Sequence, residues 1–222
     1  MAKRPVIYSI RFRKNNPDYF YPSGTLIFCG PQGSGKTLSA VNYIIKLTHD
    51  YPKSILCTNT DIDRVYLPKN YNVIPYMGLD SLKEVNNGQK GVIFFIDEIQ
   101  LELNSLESKN IDIDIITEIS QQRKQRKHII GTSQVYMRMA KPLREQVRDI
   151  VLCKNYFNLL QVNKLIDGFE SHEENGKLNA CVRSRFLWLH DVKLYGAYDT
   201  YAKMKRYSTE WQGRKRSEYY YG

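Results

Sequence analysis

Cysteine is scarce in this sequence, and none of it is paired by spacing. Cys29, Cys57, Cys153 and Cys181 lie far apart with no C-x-x-C pattern, so neither a disulfide framework nor a zinc site is expected. The first three stand in apolar, strand-like runs, which predicts buried free thiols in a reducing compartment. Long apolar runs are missing too. No stretch approaches the roughly 20 residues that cross a bilayer, and no apolar core follows Met1-Ala2-Lys3-Arg4-Pro5 to make a signal peptide. The expectation is a soluble, intracellular protein without a transmembrane segment. There is no internal repeat and no low-complexity segment to suggest a solenoid or a linker. Acidic residues are in deficit, with Lys+Arg 33 against Asp+Glu 23 and a formal net charge of +10 over 222 residues. Such a surface favours a polyanionic partner, nucleic acid ahead of an anionic membrane.

What is present is organised around Gly30-Pro31-Gln32-Gly33-Ser34-Gly35-Lys36-Thr37, which fits G-x-x-x-x-G-K-[ST]. Glycines at these places let backbone N–H groups curl around phosphates, and a helix N-terminus adds partial positive charge. The flanks agree. Gly24 to Cys29 reads as a short buried strand entering the loop, and Lys36 to Thr48 as a helix leaving it, with Val41, Ile44, Ile45 and Thr48 on one face. Lys36 is expected to reach the β- and γ-phosphates of ATP, and the Thr37 hydroxyl to sit on Mg²⁺. Downstream, Val92-Ile93-Phe94-Phe95-Ile96-Asp97-Glu98 is a continuous apolar run ending in two carboxylates. That is the pattern of a buried parallel strand whose active edge lies at its carboxyl end, and it matches a Walker B motif. Asp97 is expected to hold the Mg²⁺ shell, and Glu98 to polarise the water that attacks the γ-phosphate.

Further elements fill in an α/β domain. Ser54 to Asn59 and Val73 to Tyr76 read as strands, Asp80 to Asn86 as a brief helix, and Asp112 to Arg126 as a helix carrying Ile115, Ile116 and Ile119 toward the core. The end of that helix is heavily basic, with Arg123, Lys124, Arg126 and Lys127. His128 to Gln134 reads as a strand ending in small polar residues, and Gln134 is the candidate sensor of the γ-phosphate. Pro142 to Val147 is expected to form a short helix holding Arg144, and Asp149 to Cys153 another core strand. Phe157 to Ile166 and Phe186 to Leu194 are expected as late strands on an edge or in a hairpin, with Asn175-Gly176 as a hairpin turn. Alternation from Val6 to Phe12 suggests an edge strand within a basic arm, residues 1–23. The tail, residues 202–222, interleaves Tyr with Lys and Arg in a manner suited to nucleic acid. The catalytic domain is expected over residues 24–201.

This order resembles the Zot-like branch of the FtsK–HerA superfamily of P-loop ATPases, which includes filamentous-phage assembly ATPases and has viral DNA-packaging ATPases as relatives. The resemblance rests on the P-loop, the Val92 to Glu98 run, a basic helix end, a strand ending Thr132-Ser133-Gln134 and a downstream Arg, and it spans roughly Gly24 to Tyr201. It implies a RecA-like (ASCE) fold with a mainly parallel sheet flanked by helices. By the resemblance, an Arg preceding the sensor falls on Arg123, and Leu143-Arg144 matches a later conserved Arg; Arg123, Arg126 and Arg144 are candidates for a finger reaching a neighbouring subunit's nucleotide. It also implies a homo-oligomeric ring, a hexamer, acting on double- or single-stranded DNA, with capsid, portal or phage assembly proteins as further partners. The setting would be the host cytoplasm or a virion. Tyr198-Asp199-Thr200-Tyr201 looks like the Tyr-Asp/Asn-Thr signature near the end of such phage proteins. The transmembrane anchor of filamentous-phage assembly proteins has no counterpart here, so DNA packaging or translocation is expected ahead of export, which would need a separate anchor.

Two other readings compete. One is a nucleotide-dependent switch or loader that binds DNA without moving it. Its GTPase form has a point of support in Asn163-Lys164-Leu165-Ile166-Asp167, which exceeds the N-K-x-D pattern by one residue. The other is a structural DNA-binding protein whose nucleotide only holds the fold. No L-S-G-G-Q stretch is present, which argues against an ABC ATPase.

Overall fold

The computed structural model describes residues 15–102, 113–136, 139–174 and 177–199. The edge strand expected over Val6 to Phe12, the Asn175-Gly176 turn and the tail of residues 202–222 lie outside them. Among the described residues the main sheet has eight strands in the order β10-β7-β6-β1-β5-β4-β2-β3. These are β1 (Gly24–Cys29), β2 (Ile55–Thr58), β3 (Asn72–Pro75), β4 (Val92–Ile96), β5 (Lys127–Ser133), β6 (Val147–Tyr156), β7 (Leu160–Asp167) and β10 (Val182–Leu189). From β6 across to β3 every pairing is parallel, while β7 and β10 add antiparallel strands at one edge. β8 (His172–Glu174) and β9 (Lys177–Asn179) pair antiparallel as a separate small ribbon.

β5 lies between the strand that enters the P-loop and the strand that ends in Asp97. This insertion defines the ASCE arrangement that the resemblance implies, and it decides which side chains meet at the site. The central strands read as continuous apolar runs because both of their faces are covered. β4 is buried at all of its positions, and so is β5. Alternate residues feed opposite layers. Leu26 and Phe28, with Ile93, Phe95 and Ile130, face α1 (Lys36–Asp50), which presents Leu38, Val41, Ile44 and Leu47. Ile27 and Cys29, with Phe94, Ile96 and Ile129, face the other layer. There Leu82 of α2 (Ser81–Glu84) and Ile115 and Ile119 of α3 (Ile113–Gln121) close the core. Each such aliphatic or aromatic side chain contributes about 1.5–3 kcal/mol through burial.

One element differs from its sequence expectation. The helix anticipated through Arg126 ends at Gln121, and Gln122 to Arg126 form turns, with Arg126 at φ 57°. The cause lies in two buried polar side chains. Gln122 Nε2 donates to Thr25 Oγ1 at 2.9 Å. Lys127 Nζ donates to Leu82 O at 2.6 Å and reaches Glu118 at 3.3 Å. Holding both inward at the mouth of β5 requires the chain to leave the helix early, although Arg, Lys and Gln are good helix formers. The free thiols agree with expectation: Cys29, Cys57 and Cys153 are buried and Cys181 is exposed. No helix among the described residues is long and apolar enough to cross a membrane.

Candidate nucleotide site

All of the parallel strands end at one edge of the sheet, the edge at which open α/β sheets bind ligands. The P-loop, Gly30 to Gly35, leaves β1 there and turns into α1. Gly30 N donates to Ser133 O at 3.2 Å and Ser34 N to Pro31 O at 3.2 Å, which closes the loop against the end of β5. Gly33 and Gly35 lie in the left-handed region, at φ 76° and 77°. Gly35 is also confined by a neighbour, since a Cβ there would come within 2.2 Å of Gln161 Oε1. At the start of α1 no side chain caps the helix and no acidic residue stands in its first turn, so its N–H groups and dipole are directed at the loop. Ser34 Oγ is buried without a hydrogen-bond partner among the described residues. These features fit a phosphate group: a concave run of backbone donors, positive partial charge and a polar atom awaiting a partner.

The residues expected to hold Mg²⁺ meet. Thr37 Oγ1 donates to Asp97 Oδ1 at 3.1 Å, although the two are far apart in sequence. Asp97 is fixed on every side. Thr132 Oγ1 donates to the same Oδ1 at 2.5 Å. Asn59, just past the end of β2, brackets the Asp97 backbone: Asn59 Oδ1 accepts from Asp97 N at 2.8 Å, and Asn59 Nδ2 donates to Asp97 O at 3.1 Å. An aligned hydroxyl and carboxylate with their second-layer supports in place is the donor set expected for a hard, oxygen-binding cation.

Glu98 follows in the left-handed conformation, φ 56° and ψ 49°. A non-glycine residue held there costs about 1–2 kcal/mol. Three contacts maintain it. Glu98 N donates to Thr132 Oγ1 at 2.8 Å, Glu98 Oε1 lies 3.7 Å from Lys36 Nζ, and Gln100 Nε2 donates to Glu98 Oε2. Lys36 and Glu98 are both largely buried, with side chains 8% and 13% exposed. Burial also raises the neighbouring Cys29 and Cys153 thiols, the latter to about 12, so neither is a thiolate near neutral pH.

The structure therefore gathers Lys36, Thr37, Asp97 and Glu98 into one place. Gln134 follows Ser133, whose carbonyl receives Gly30 N, so it stands beside the P-loop and is exposed. Arg144 ends the short helix α4 (Lys141–Arg144), half-buried, with its carbonyl accepting from Tyr136 Oη at 3.0 Å. Arg123 and Arg126 are elsewhere. They precede β5 and lie at the amino-terminal edge of the sheet, separated from the P-loop by the length of β1, about 20 Å at 3.3 Å per residue.

Three contributors were not singled out in the sequence. Asn59 and Thr132 are strand-end polar residues flanking the Asp97 strand, so their place beside it becomes legible once strand order is known. Gln161, on an antiparallel strand, carries no local signal. Its amide donates to Ser34 O and Asn163 Oδ1, both at 2.9 Å, and its Oε1 accepts from His190 Nε2 at 3.0 Å. The Asn163 to Asp167 stretch forms part of strand β7 itself. There Asn163 Oδ1 also accepts from Ser39, and Asp167 pairs with Arg183.

Comparison with solved structures agrees with this geometry. The N-terminal domain of zonular occludens toxin from Neisseria meningitidis superposes with a TM-score of 0.53 at 15% identity, over 80% of this chain and 100% of that one. The genome packaging NTPase B204 from Sulfolobus turreted icosahedral virus 2, in complex with ATP-gammaS, gives 0.51 at 11% identity, over 72% and 96%. A third structure, an ATPase domain, gives 0.51 at 12% identity, over 89% and 98%. No protein-family model matches the chain, and no curated protein matches it. At such identities the likeness establishes the fold: this chain has the α/β P-loop NTPase architecture that the zonular occludens toxin domain and the viral packaging NTPase share.

Proposed function

We propose that this protein is an ATP-hydrolysing DNA translocase of the genome-packaging or phage-assembly kind. The observation that carries the catalytic part is the meeting of Thr37, Asp97 and Thr132 at the end of the P-loop, with Glu98 and Lys36 paired beside them. The DNA part is supported by the net charge of +10 and by a fold shared with a structure described as a genome packaging NTPase.

Each residue then has a task. The backbone N–H groups of Gly33 to Lys36 receive the phosphates, and the Lys36 ammonium shifts from Glu98 to the phosphate oxygens. Thr37 and Asp97 would hold Mg²⁺, which would supply positive charge against the phosphate as negative charge develops on it. Thr132 and Asn59 keep Asp97 from rotating. Glu98, released from Lys36, orients and polarises the attacking water. Gln134 senses the γ-phosphate from the end of β5. A neighbouring subunit of a ring, a hexamer by resemblance, contributes an arginine to the charge on the transferred group, with Arg123 and Arg144 as candidates.

The test is steady-state ATP hydrolysis by the full chain with and without DNA. Turnover that rises with DNA and disappears in Lys36→Ala supports a motor. Nucleotide binding without turnover in either condition, with DNA binding unaffected by Lys36→Ala, would replace it with a nucleotide-stabilised DNA-binding protein.

A further inference from the structure

The amino-terminal edge of the sheet, opposite the nucleotide pole, carries a cleft of about 1070 Å³ with a distinctive chemistry. Arg123, Lys124, Arg126 and Arg148 line it, and among the described residues no Asp or Glu does. Tyr19, Tyr21 and Phe169 lie among these cations. The Tyr19 and Tyr21 rings are 4.9 Å apart at 59°, and the Arg126 guanidinium lies over the Tyr19 ring at 4.1 Å from its centroid. Phe169 is 64% exposed. Two carboxylates beside lining residues are engaged: Asp149 pairs with Arg148 at 3.4 Å and with Arg183 at 2.9 Å, and Glu118 pairs with the buried Lys127.

We infer that this cleft binds single-stranded nucleic acid, its cations tracking the phosphates and its aromatic rings receiving bases. This rests on the proposed function and adds to it the place and the form of the substrate. Two features select a single strand over a duplex. Rings gain most from unpaired bases, whose faces are free to stack, and a concave cleft suits a flexible strand better than a rigid cylinder. Arg148 already has Asp149 beside it, but the four cations together still favour an anion that spans them, because like charges repel. The anion must be extended, since the cations approach the cleft from the turn before β5 and from the start of β6.

Placement supports a working role. β5 begins at Lys127, next to the basic turn, and ends at Thr132 and Ser133, on Asp97 and the P-loop. One buried strand therefore joins the cleft to the metal-binding carboxylate. The inference assigns Arg123 to nucleic acid and leaves Arg144 as the arginine offered to a neighbour's nucleotide.

The experiment uses the full chain and a short fluorescein-labelled oligo(dT), with a duplex of equal length, read by anisotropy across a salt series. The single strand should bind more tightly, and the Lys124→Glu/Arg148→Glu pair should weaken it by roughly tenfold or more while flattening the salt slope. Tyr19→Ala should weaken the single strand roughly tenfold and the duplex much less. Thermal melting shows whether each variant is folded. As an independent readout, ultraviolet crosslinking of a 4-thiothymidine oligonucleotide to the unaltered chain should label peptides holding Tyr19 or Arg123.

Variants that bind the single strand within twofold of the parent, with crosslinks falling elsewhere, overturn the cleft while leaving the translocase reading intact. Failure of the parent chain to bind any DNA at low salt overturns both. If Arg123→Glu keeps its oligo(dT) affinity but cannot restore hydrolysis when mixed with Lys36→Ala subunits, the arginine belongs to a neighbour's nucleotide and the inference fails there.

Discussion

Thr132 holds Asp97 through a 2.5 Å hydrogen bond while its own oxygen accepts from Glu98 N at 2.8 Å. One hydroxyl thus fixes the carboxylate proposed to hold the metal and the backbone of the residue proposed to activate water. Its neighbours in β5 pair with the P-loop strand on one side and the Asp97 strand on the other.

Removing that hydroxyl should therefore hurt turnover more than binding. Thr132→Val keeps the shape of the strand but removes the acceptor of the part-buried bond from Glu98 N, at about 1–3 kcal/mol. We expect ATP hydrolysis to fall roughly ten- to hundredfold, since about 1.4 kcal/mol is a factor of ten. A fluorescent ATP analogue should still bind within a few-fold, and the Mg²⁺ concentration for half-maximal rate should rise. Unchanged hydrolysis and Mg²⁺ dependence would remove Thr132 from the site.

Gly35 meets two constraints, and they can be separated. Its φ of 77° costs a non-glycine residue about 1–2 kcal/mol, and an added Cβ would collide with the carboxamide of Gln161. Gln161 cannot swing aside without giving up Ser34, Asn163 and His190. Gly35→Ala should lower the melting temperature and abolish nucleotide binding. Adding Gln161→Ala should recover part of the melting temperature but not the binding. Full recovery of both would show that the backbone conformation is unimportant.

His128 gives the fold a pH dependence of predictable sign. Burial pushes it down to about 4 from 6.5, opposed by its bond to Gly24 O and aided by Arg148. Its Nδ1 lies 2.8 Å from that carbonyl and so carries the proton, leaving Nε2 to accept from Tyr43 Oη at 3.1 Å. Between these pH values the unfolded chain binds a proton that the folded chain refuses, so stability falls as pH drops from 6.5 toward 4, by roughly 3 kcal/mol in all. Denaturant unfolding at several pH values should show this slope, and His128→Gln should flatten it. A parent profile that is already flat would mean that the folded protein takes up the imidazole's proton as readily as the unfolded chain does.

These cases mark what the amino-acid sequence could disclose. The P-loop and the Asp97-Glu98 strand end are contiguous, so their chemistry and local structure are written in neighbouring residues. The central strands were equally legible, because burial on both faces leaves an unbroken apolar run such as Val92 to Ile96. The early end of α3 was hidden, since Gln122 and Lys127 turn the chain through contacts with Thr25 and Leu82 that no window of sequence contains. Gln161 was hidden for the same reason: its bond to Ser34 O joins residues more than half the chain apart. Arg123 shows the complementary case. The resemblance nominated it as a finger toward a neighbouring subunit's nucleotide, and its separation from its own P-loop could be read only after β1 and β5 were seen side by side.

Glu98→Gln tests the central claim most directly. The substitution keeps the side-chain shape and removes the carboxylate proposed to polarise water. We predict that the parent hydrolyses ATP, that DNA raises the rate, and that Glu98→Gln binds ATP and DNA but turns over at least ~100-fold more slowly with or without DNA. Hydrolysis by Glu98→Gln at the parent's rate would contradict the account.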